Sequence, residues 1–251
     1  INFMATVARG LICTPLDGSI IDNLALEPMV TQNTESMGTA FTVSVDASND
    51  IESGISAKDR SNTVRKLANK KSTKSDFVKP GHIFPLRYQK GGVLVRAGHT
   101  EGSVDLVKLS GKIPAAVICE VMNEDGTMAR GDDLKIISEK YNMPIVSIED
   151  IIAYRMAKEN LIEKVVETNL PTTYGDFKVI GFRSKVDQSE PIALIKGKIS
   201  KNNTTLVRVH SECTTGDLFG SVKCDCGDQL HMALEQISKA ESGVFLYMRQ
   251  E

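Results

Sequence analysis

Cys224-Asp225-Cys226-Gly227-Asp228-Gln229-Leu230 opens the stretch that decides the architecture of the C-terminal part of the chain. From Asp228 to Ala240, residues Leu230, Leu234 and Ile237 recur at helical spacing, so one face of the segment is apolar and the rest polar. Gly243–Met248 then reads as a buried strand. Working back from the cysteines, Ala193–Ile199 and Thr204–Val209 read as two strands of a hairpin turning at Lys201-Asn202-Asn203. Helix and strand therefore alternate, and the segment Glu167–Phe177 before them, with Pro171 and Gly175, keeps no regular period and reads as loose.

The same alternation runs through the first 157 residues. Thr39–Val45 reads as a strand, and Asp59–Lys71 as a helix with Val64, Leu67 and Ala68 on one side. Thr100–Leu109 is predicted helical, with Thr100 as N-cap and Gly111 past its end. Ala115–Val121 is a buried-strand candidate. Ser147-Ile148-Glu149-Asp150 forms a capping box for a helix running to about Glu163. The expectation is an α/β (α+β) chain of two domains, 1–160 and 161–251: a mixed sheet with flanking helices, then a second α/β domain.

Composition narrows the function. The 251 residues carry 30 basic and 32 acidic side chains, a net charge of −2, which disfavours a broad nucleic-acid-binding face. The longest apolar runs fall far short of the ~20 residues a bilayer span needs, so no membrane partner is expected. Five cysteines, with Cys213, Cys224 and Cys226 crowded near one end, do not make a disulfide framework. A reducing setting is expected, cytoplasm or an organelle stroma. Both ends, Ile1-Asn2-Phe3-Met4 and Arg249-Gln250-Glu251, read as truncated.

Two clusters carry chemistry. In the first, Gly81-His82, Arg96-Ala97-Gly98-His99-Thr100-Glu101 and Cys119-Glu120 fall within forty residues of one another. The Arg96 run precedes a predicted helix N-terminus, where free backbone N–H groups and a guanidinium suit a sugar phosphate. Gly98 lets the backbone come close. His99 with a carboxylate could hold a hard divalent cation. Glu120 on a predicted core strand is costly there unless paired or used. In the second cluster, Cys213 ends a strand while Cys224 and Cys226 flank one residue of a tight turn. Three sulfurs leave a fourth tetrahedral position open, as catalytic zinc requires.

The first cluster, together with Ala8–Cys13, Gly38–Thr42 and Gly54–Ala57 with Asp59-Arg60, resembles the 3,4-dihydroxy-2-butanone 4-phosphate synthases of riboflavin biosynthesis over residues 1–157. That resemblance implies conversion of ribulose 5-phosphate to dihydroxybutanone phosphate and formate with Mg²⁺ (or Mn²⁺), in a homodimer. It gives proton transfer to His82 and Glu120, substrate binding to Arg96, Ala97, Gly98, His99, Thr100, Glu120, Cys13 and Ser53, and a Mg²⁺ ligand to His99. For Cys13 the residues alone allow a small buried hydrophobe equally well. An acidic loop of the type Asp-x-Glu-Asn-Glu-Gly-Asp, which supplies further metal carboxylates in the family, would precede Ile1. Ser53 stands in place of the usual Thr, and Gly102 in place of Ala, expected to loosen its helix.

Residues 170–251, through Ser211-Glu212-Cys213 and Cys224-Asp225-Cys226-Gly227-Asp228-Gln229-Leu230, resemble the N-terminal portion of GTP cyclohydrolase II. The resemblance implies hydrolysis of GTP to formate, pyrophosphate and a diaminopyrimidine product, with Zn²⁺ on Cys213, Cys224 and Cys226 and Mg²⁺ at the phosphates. Arg208, Val209, His210, Ser211, Glu212, Gln229 and Glu251 would contact GTP; His231 is given no role. Two other readings stay open: a synthase with a vestigial zinc-bound scaffold, and a zinc-ribbon nucleic-acid binder.

Overall fold

The computed structural model describes residues 1–187, 189–202 and 204–249. The chain divides into two compact units, Ile1–Lys158 and Glu159–Glu251.

In the first unit a short sheet has the order β1 (Cys13–Leu16), β3 (Phe77–Arg87), β2 (Val45–Ala47). β1 runs parallel to β3 and β2 antiparallel. The helices are α1 (Gly18–Asn23), α2 (Ala57–Leu67), α3 (His99–Leu109), α4 (Asp132–Tyr141) and α5 (Ile148–Lys158). Leu16, Ile21, Val45, Leu67 and Ile83 are almost fully buried in one core. Asp105 of α3, also buried, accepts hydrogen bonds from Tyr88 Oη (2.7 Å), the Val93 N–H (2.9 Å) and Arg155 Nη1 (2.7 Å), tying α3 to α5.

Several sequence expectations change here. Residues 39–44 form only isolated bridges, Thr42 to Pro28 and Phe41 to Leu86, and the strand itself begins at Val45. The cap of α3 is Gly98 rather than Thr100, which lies buried in the first turn. Ala115–Val121 is a half-buried segment bridged to residues 9–16 rather than a core strand, and Glu120 is exposed. At Gly102 in α3 a Cβ would lie 2.6 Å from Ile148 Cδ1, so the missing methyl leaves room for α5. The Ser147 cap is present, with Asp150 N–H donating to Ser147 Oγ at 3.0 Å and Ser147 N–H to Asp150 Oδ2 at 3.0 Å. Its helix stops at Lys158, before the next strand.

The second unit is a five-stranded sheet in the order β4 (Ile162–Thr172), β5 (Gly175–Ser184), β6 (Ile192–Lys196), β8 (Gly243–Met248), β7 (Leu206–Ser211), with α6 (Cys226–Lys239) packed on it. Phe177, Ile237 and Phe245 form its core, flanked by Leu194, Leu230 and Leu234. The loose stretch expected at 167–177 is instead a long β4–β5 hairpin. All but the last residue of β4 is exposed, so no apolar alternation marks it as a strand. β6 and β7 do not form a hairpin. β8 lies between them, antiparallel to β6 and parallel to β7, because α6 provides the crossover from β7. Of the expected turn, Asn203 lies outside the described residues. Among the described residues no helix is long and apolar enough to cross a membrane.

Candidate functional site

In the first unit the register between β2 and β3 slips from Val45↔Ile83 to Asp46↔Val78. Gly81 permits the close approach at this bulge, since a Cβ would lie 2.0 Å from the Val45 carbonyl carbon. The slip turns Asp46 towards His82. The His82 backbone N–H donates to Asp46 Oδ1 at 2.9 Å, and its ring Nδ1 donates to Oδ2 at 2.6 Å. Asp46 is buried while the imidazole is 42% exposed. Nδ1 is thereby held as the donor, and Nε2 keeps its lone pair for a substrate. Asp46 was missed in the sequence, where its one signal is a lone carboxylate in the β-rich run Val43-Ser44-Val45-Asp46-Ala47.

Arg96, half-buried, has a protein partner on each guanidinium nitrogen: Nε to the Met37 carbonyl (3.1 Å), Nη1 to Glu101 Oε2 (2.5 Å) and Nη2 to Thr39 Oγ1 (3.1 Å). One N–H on each of Nη1 and Nη2 is left for a ligand. Gly98 makes room for this pair, because a Cβ would lie 2.2 Å from Arg96 Nη1. Ala97 and His99 are exposed at the start of α3. The Leu11 N–H donates to Glu120 Oε2 at 2.9 Å. Burial, with Glu120 and Cys119 nearby, pushes the Cys13 thiol up to about 12, so it stays neutral and behaves as a small core residue. Ser53 is exposed, its N–H donating to Asp59 Oδ2 at 3.2 Å. Among the described residues, His99 gathers no set of three metal-ligating groups.

The second unit does gather one. The ligand atoms of Cys213, Cys224 and Cys226 all lie within 4.8 Å of one another, with Cys213 Sγ and Cys224 Sγ 3.8 Å apart. Gly216 forms the floor of this cluster: a Cβ would lie 2.9 Å from Cys224 Sγ and 3.3 Å from Cys213 Sγ. Hydrogen bonds from the Gly216 N–H and the Thr215 hydroxyl hold the Cys213 thiol below its ordinary value. Its neighbours Cys224 and Cys213 push Cys226 up to about 12. Three thiolates packed this closely need a cation to neutralise them, and an all-sulfur tripod suits Zn²⁺.

The expected nucleotide contacts do not share one face. Arg208 and His210 point to the α6 side of β7, whereas Val209 and Ser211 are exposed on the alternate positions. Arg208 Nη2 donates to Gln229 Oε1 at 2.7 Å, which brings two of these residues together. The His210 ring is instead 3% exposed and faces Asp217, so its side chain does not reach a surface ligand. Glu212 is half-buried, and Glu251 lies outside the described residues. Asp217, given no role in the sequence, accepts from Cys213, His210 and Tyr247. Burial acts to raise its carboxyl, but these hydrogen bonds outweigh it and hold the group below the usual carboxylate range.

Comparison with known proteins places both units. The family model for 3,4-dihydroxy-2-butanone 4-phosphate synthase matches residues 1–154. The chain belongs to the 3,4-dihydroxy-2-butanone 4-phosphate synthase family. The model for GTP cyclohydrolase II matches residues 163–251. Riboflavin biosynthesis proteins RibBA of Bacillus cytotoxicus and Bacillus mycoides are 56% and 55% identical over the whole chain. The chain spans 63% of the length of each. Among solved structures, RibBX of A. baumannii, a two-domain 3,4-dihydroxy-2-butanone 4-phosphate synthase, aligns with all of this chain and 70% of its own (TM-score 0.78, 38% identity). A synthase solved with two magnesium ions covers 62% of this chain and 78% of its own (TM-score 0.60, 41% identity). These relatives agree with the mixed α/β, two-domain architecture.

Proposed function

We propose that the chain carries two activities of riboflavin biosynthesis, a lyase in the first unit and a hydrolase in the second. The first converts D-ribulose 5-phosphate to 3,4-dihydroxy-2-butanone 4-phosphate and formate. His82, oriented through Nδ1 by Asp46, takes the proton next to the substrate carbonyl on Nε2. Glu120, exposed beside the chain at Leu11, carries the second proton transfer. Arg96 and the first turn of α3, which carries no side-chain cap, receive the phosphate with Ala97, Gly98, His99 and Thr100. His99 offers one ligand to Mg²⁺ (or Mn²⁺), but the described residues around it do not by themselves complete a site for the ion. Exposed apolar side chains on this unit, Ile136, Ile145 and Met156 among them, support a homodimer.

In the second unit Cys213, Cys224 and Cys226 fit Zn²⁺, which would supply Lewis acidity and activate water at neutral pH. Arg208 and Gln229, already hydrogen-bonded to each other, bind GTP, with Mg²⁺ at its phosphates. The observation that carries the double assignment is this sulfur cluster, together with the Gly216 floor beneath it. Five free cysteines and bacterial relatives support a reducing cytoplasm and give no support to an organelle stroma. A second reading, a synthase whose second unit is a zinc-bound scaffold, is favoured by the match of all of this chain to RibBX, which is described as a two-domain 3,4-dihydroxy-2-butanone 4-phosphate synthase. Formate released from ribulose 5-phosphate and, separately, from GTP by the zinc-loaded chain decides between them. Formate from ribulose 5-phosphate alone selects the scaffold; formate from neither rejects both.

A further inference from the structure

Behind the three sulfurs lies a buried polar knot centred on Asp217. Its backbone N–H donates to the Cys213 carbonyl at 2.7 Å, and its Oδ2 accepts the Cys213 N–H at 3.0 Å. The Cys213 residue is thus clasped through both of its backbone polar groups. The same carboxylate accepts Tyr247 Oη–H at 2.9 Å and His210 Nε2–H at 3.0 Å. His210 and Tyr247 are register partners on β7 and β8, their rings 5.8 Å apart and within 13° of parallel. The side chains of His210 and Asp217 are 3% and 6% exposed. A buried carboxylate is costly, and three convergent donors are an expensive way to close an ordinary turn. The turn that carries Asp217 also carries Gly216, the floor of the sulfur cluster.

We propose that Asp217 is a positioning residue for the metal centre: through His210 and Tyr247 it locks the Cys213 backbone to the end of the β7–β8 pair, fixing the Cys213 sulfur at the spacing Cys224 and Cys226 require. The proposal rests on reading the thiol cluster as a zinc site. Asp217→Asn replaces one acceptor oxygen by a donor, so either one of the three donors loses its acceptor or the His210 proton moves to Nδ1, which is buried without a hydrogen-bond partner.

The test uses the full chain. Zinc affinity is measured by competition with a chromogenic chelator, thiolate ligation by the charge-transfer bands of the Co²⁺ form, and stability by Tm with and without zinc. Asp217→Asn is expected to weaken zinc binding about 10- to 100-fold. It should also weaken the Co²⁺–thiolate bands and shrink the Tm increment that zinc confers. Tyr247→Phe should act in the same direction to a smaller extent, and His210→Gln, which keeps an N–H donor, should retain more affinity than His210→Ala. Wild-type zinc affinity in Asp217→Asn overturns the proposal, as does an equal fall of Tm in the zinc-free and zinc-loaded forms, which marks a plain strut. Should Asp217→Asn not fold, Tyr247→Phe decides: wild-type affinity there overturns the proposal. Failure of the wild-type chain to take up zinc overturns the zinc reading itself.

Discussion

At Gly54 the backbone takes φ +82°, and an added Cβ would lie 2.2 Å from Asp46 Oδ2 and 2.6 Å from His82 Nδ1. Gly54→Ala therefore strains the turn and pushes directly on the hydrogen bond that fixes the His82 tautomer. A displacement of about 1 Å at a catalytic group costs roughly 100-fold in turnover. Formate release from ribulose 5-phosphate should fall by that order in Gly54→Ala, with zinc content unchanged. Asp46→Asn tests the same hydrogen bond from the other side. Its amide oxygen can still accept from Nδ1, but the amide group turned towards the His82 N–H donates instead of accepting, and the carboxylate that would stabilise an imidazolium is gone. The loss should appear in kcat more than in KM, because Asp46 is buried behind the imidazole rather than at a surface where substrate binds. Equal kcat in Asp46→Asn and the wild type would remove Asp46 from its role in orienting His82.

The elements that carry these residues have their own requirements. At the start of α2, Asp59 accepts the N–H groups of Ser53 and Gly54 at 3.2 and 3.1 Å, tying the Gly54 turn to the helix. Burial acts to raise the Asp59 carboxyl, but the Ser56 hydroxyl and the backbone N–H groups outweigh it and hold the group below the usual carboxylate range. A folded value below the unfolded one contributes stability that is complete above the ordinary carboxylate value near 3.9 and is lost as pH falls through the folded value. Urea unfolding of the chain between pH 6 and pH 3 should show the first unit weakening at the acid end, and Asp59→Asn should flatten part of that slope. At the other end of α2, Leu67 is 1% exposed, and Leu67→Ala should destabilise the first unit by about 2–5 kcal/mol in the same assay. Legibility in the sequence followed burial pattern. α6 and the Ser147 cap were readable because an apolar stripe or a reciprocal hydrogen bond is written into neighbouring residues. β4 was not, because exposure on both faces erases alternation, and the β6–β8–β7 order was not, because strand adjacency across a helix leaves no local mark. The cysteine triad was legible from spacing, while Asp46 and Asp217 were not: each is defined by a partner that only the fold brings near.

For the whole molecule, two units with separate cores imply two separable failures. No buried residue of the first core belongs to the second unit, and the three thiols lie entirely within residues 213–226. Zinc at 100 times its dissociation constant adds about 2.7 kcal/mol to whatever folds around it. For a unit of about a hundred residues that corresponds to about 10–20 °C in Tm. Calorimetry of the zinc-loaded chain should therefore show a transition that drops by this amount after chelation, beside one that does not move. Cys224→Ser should reproduce the drop without chelator and abolish formate release from GTP, while formate release from ribulose 5-phosphate stays within about twofold of wild type, since the first unit has its own core and Cys224 belongs to the second. Equal loss of both activities in Cys224→Ser, or a single transition that moves as one with zinc, would mean that the two units fold and act as one cooperative body.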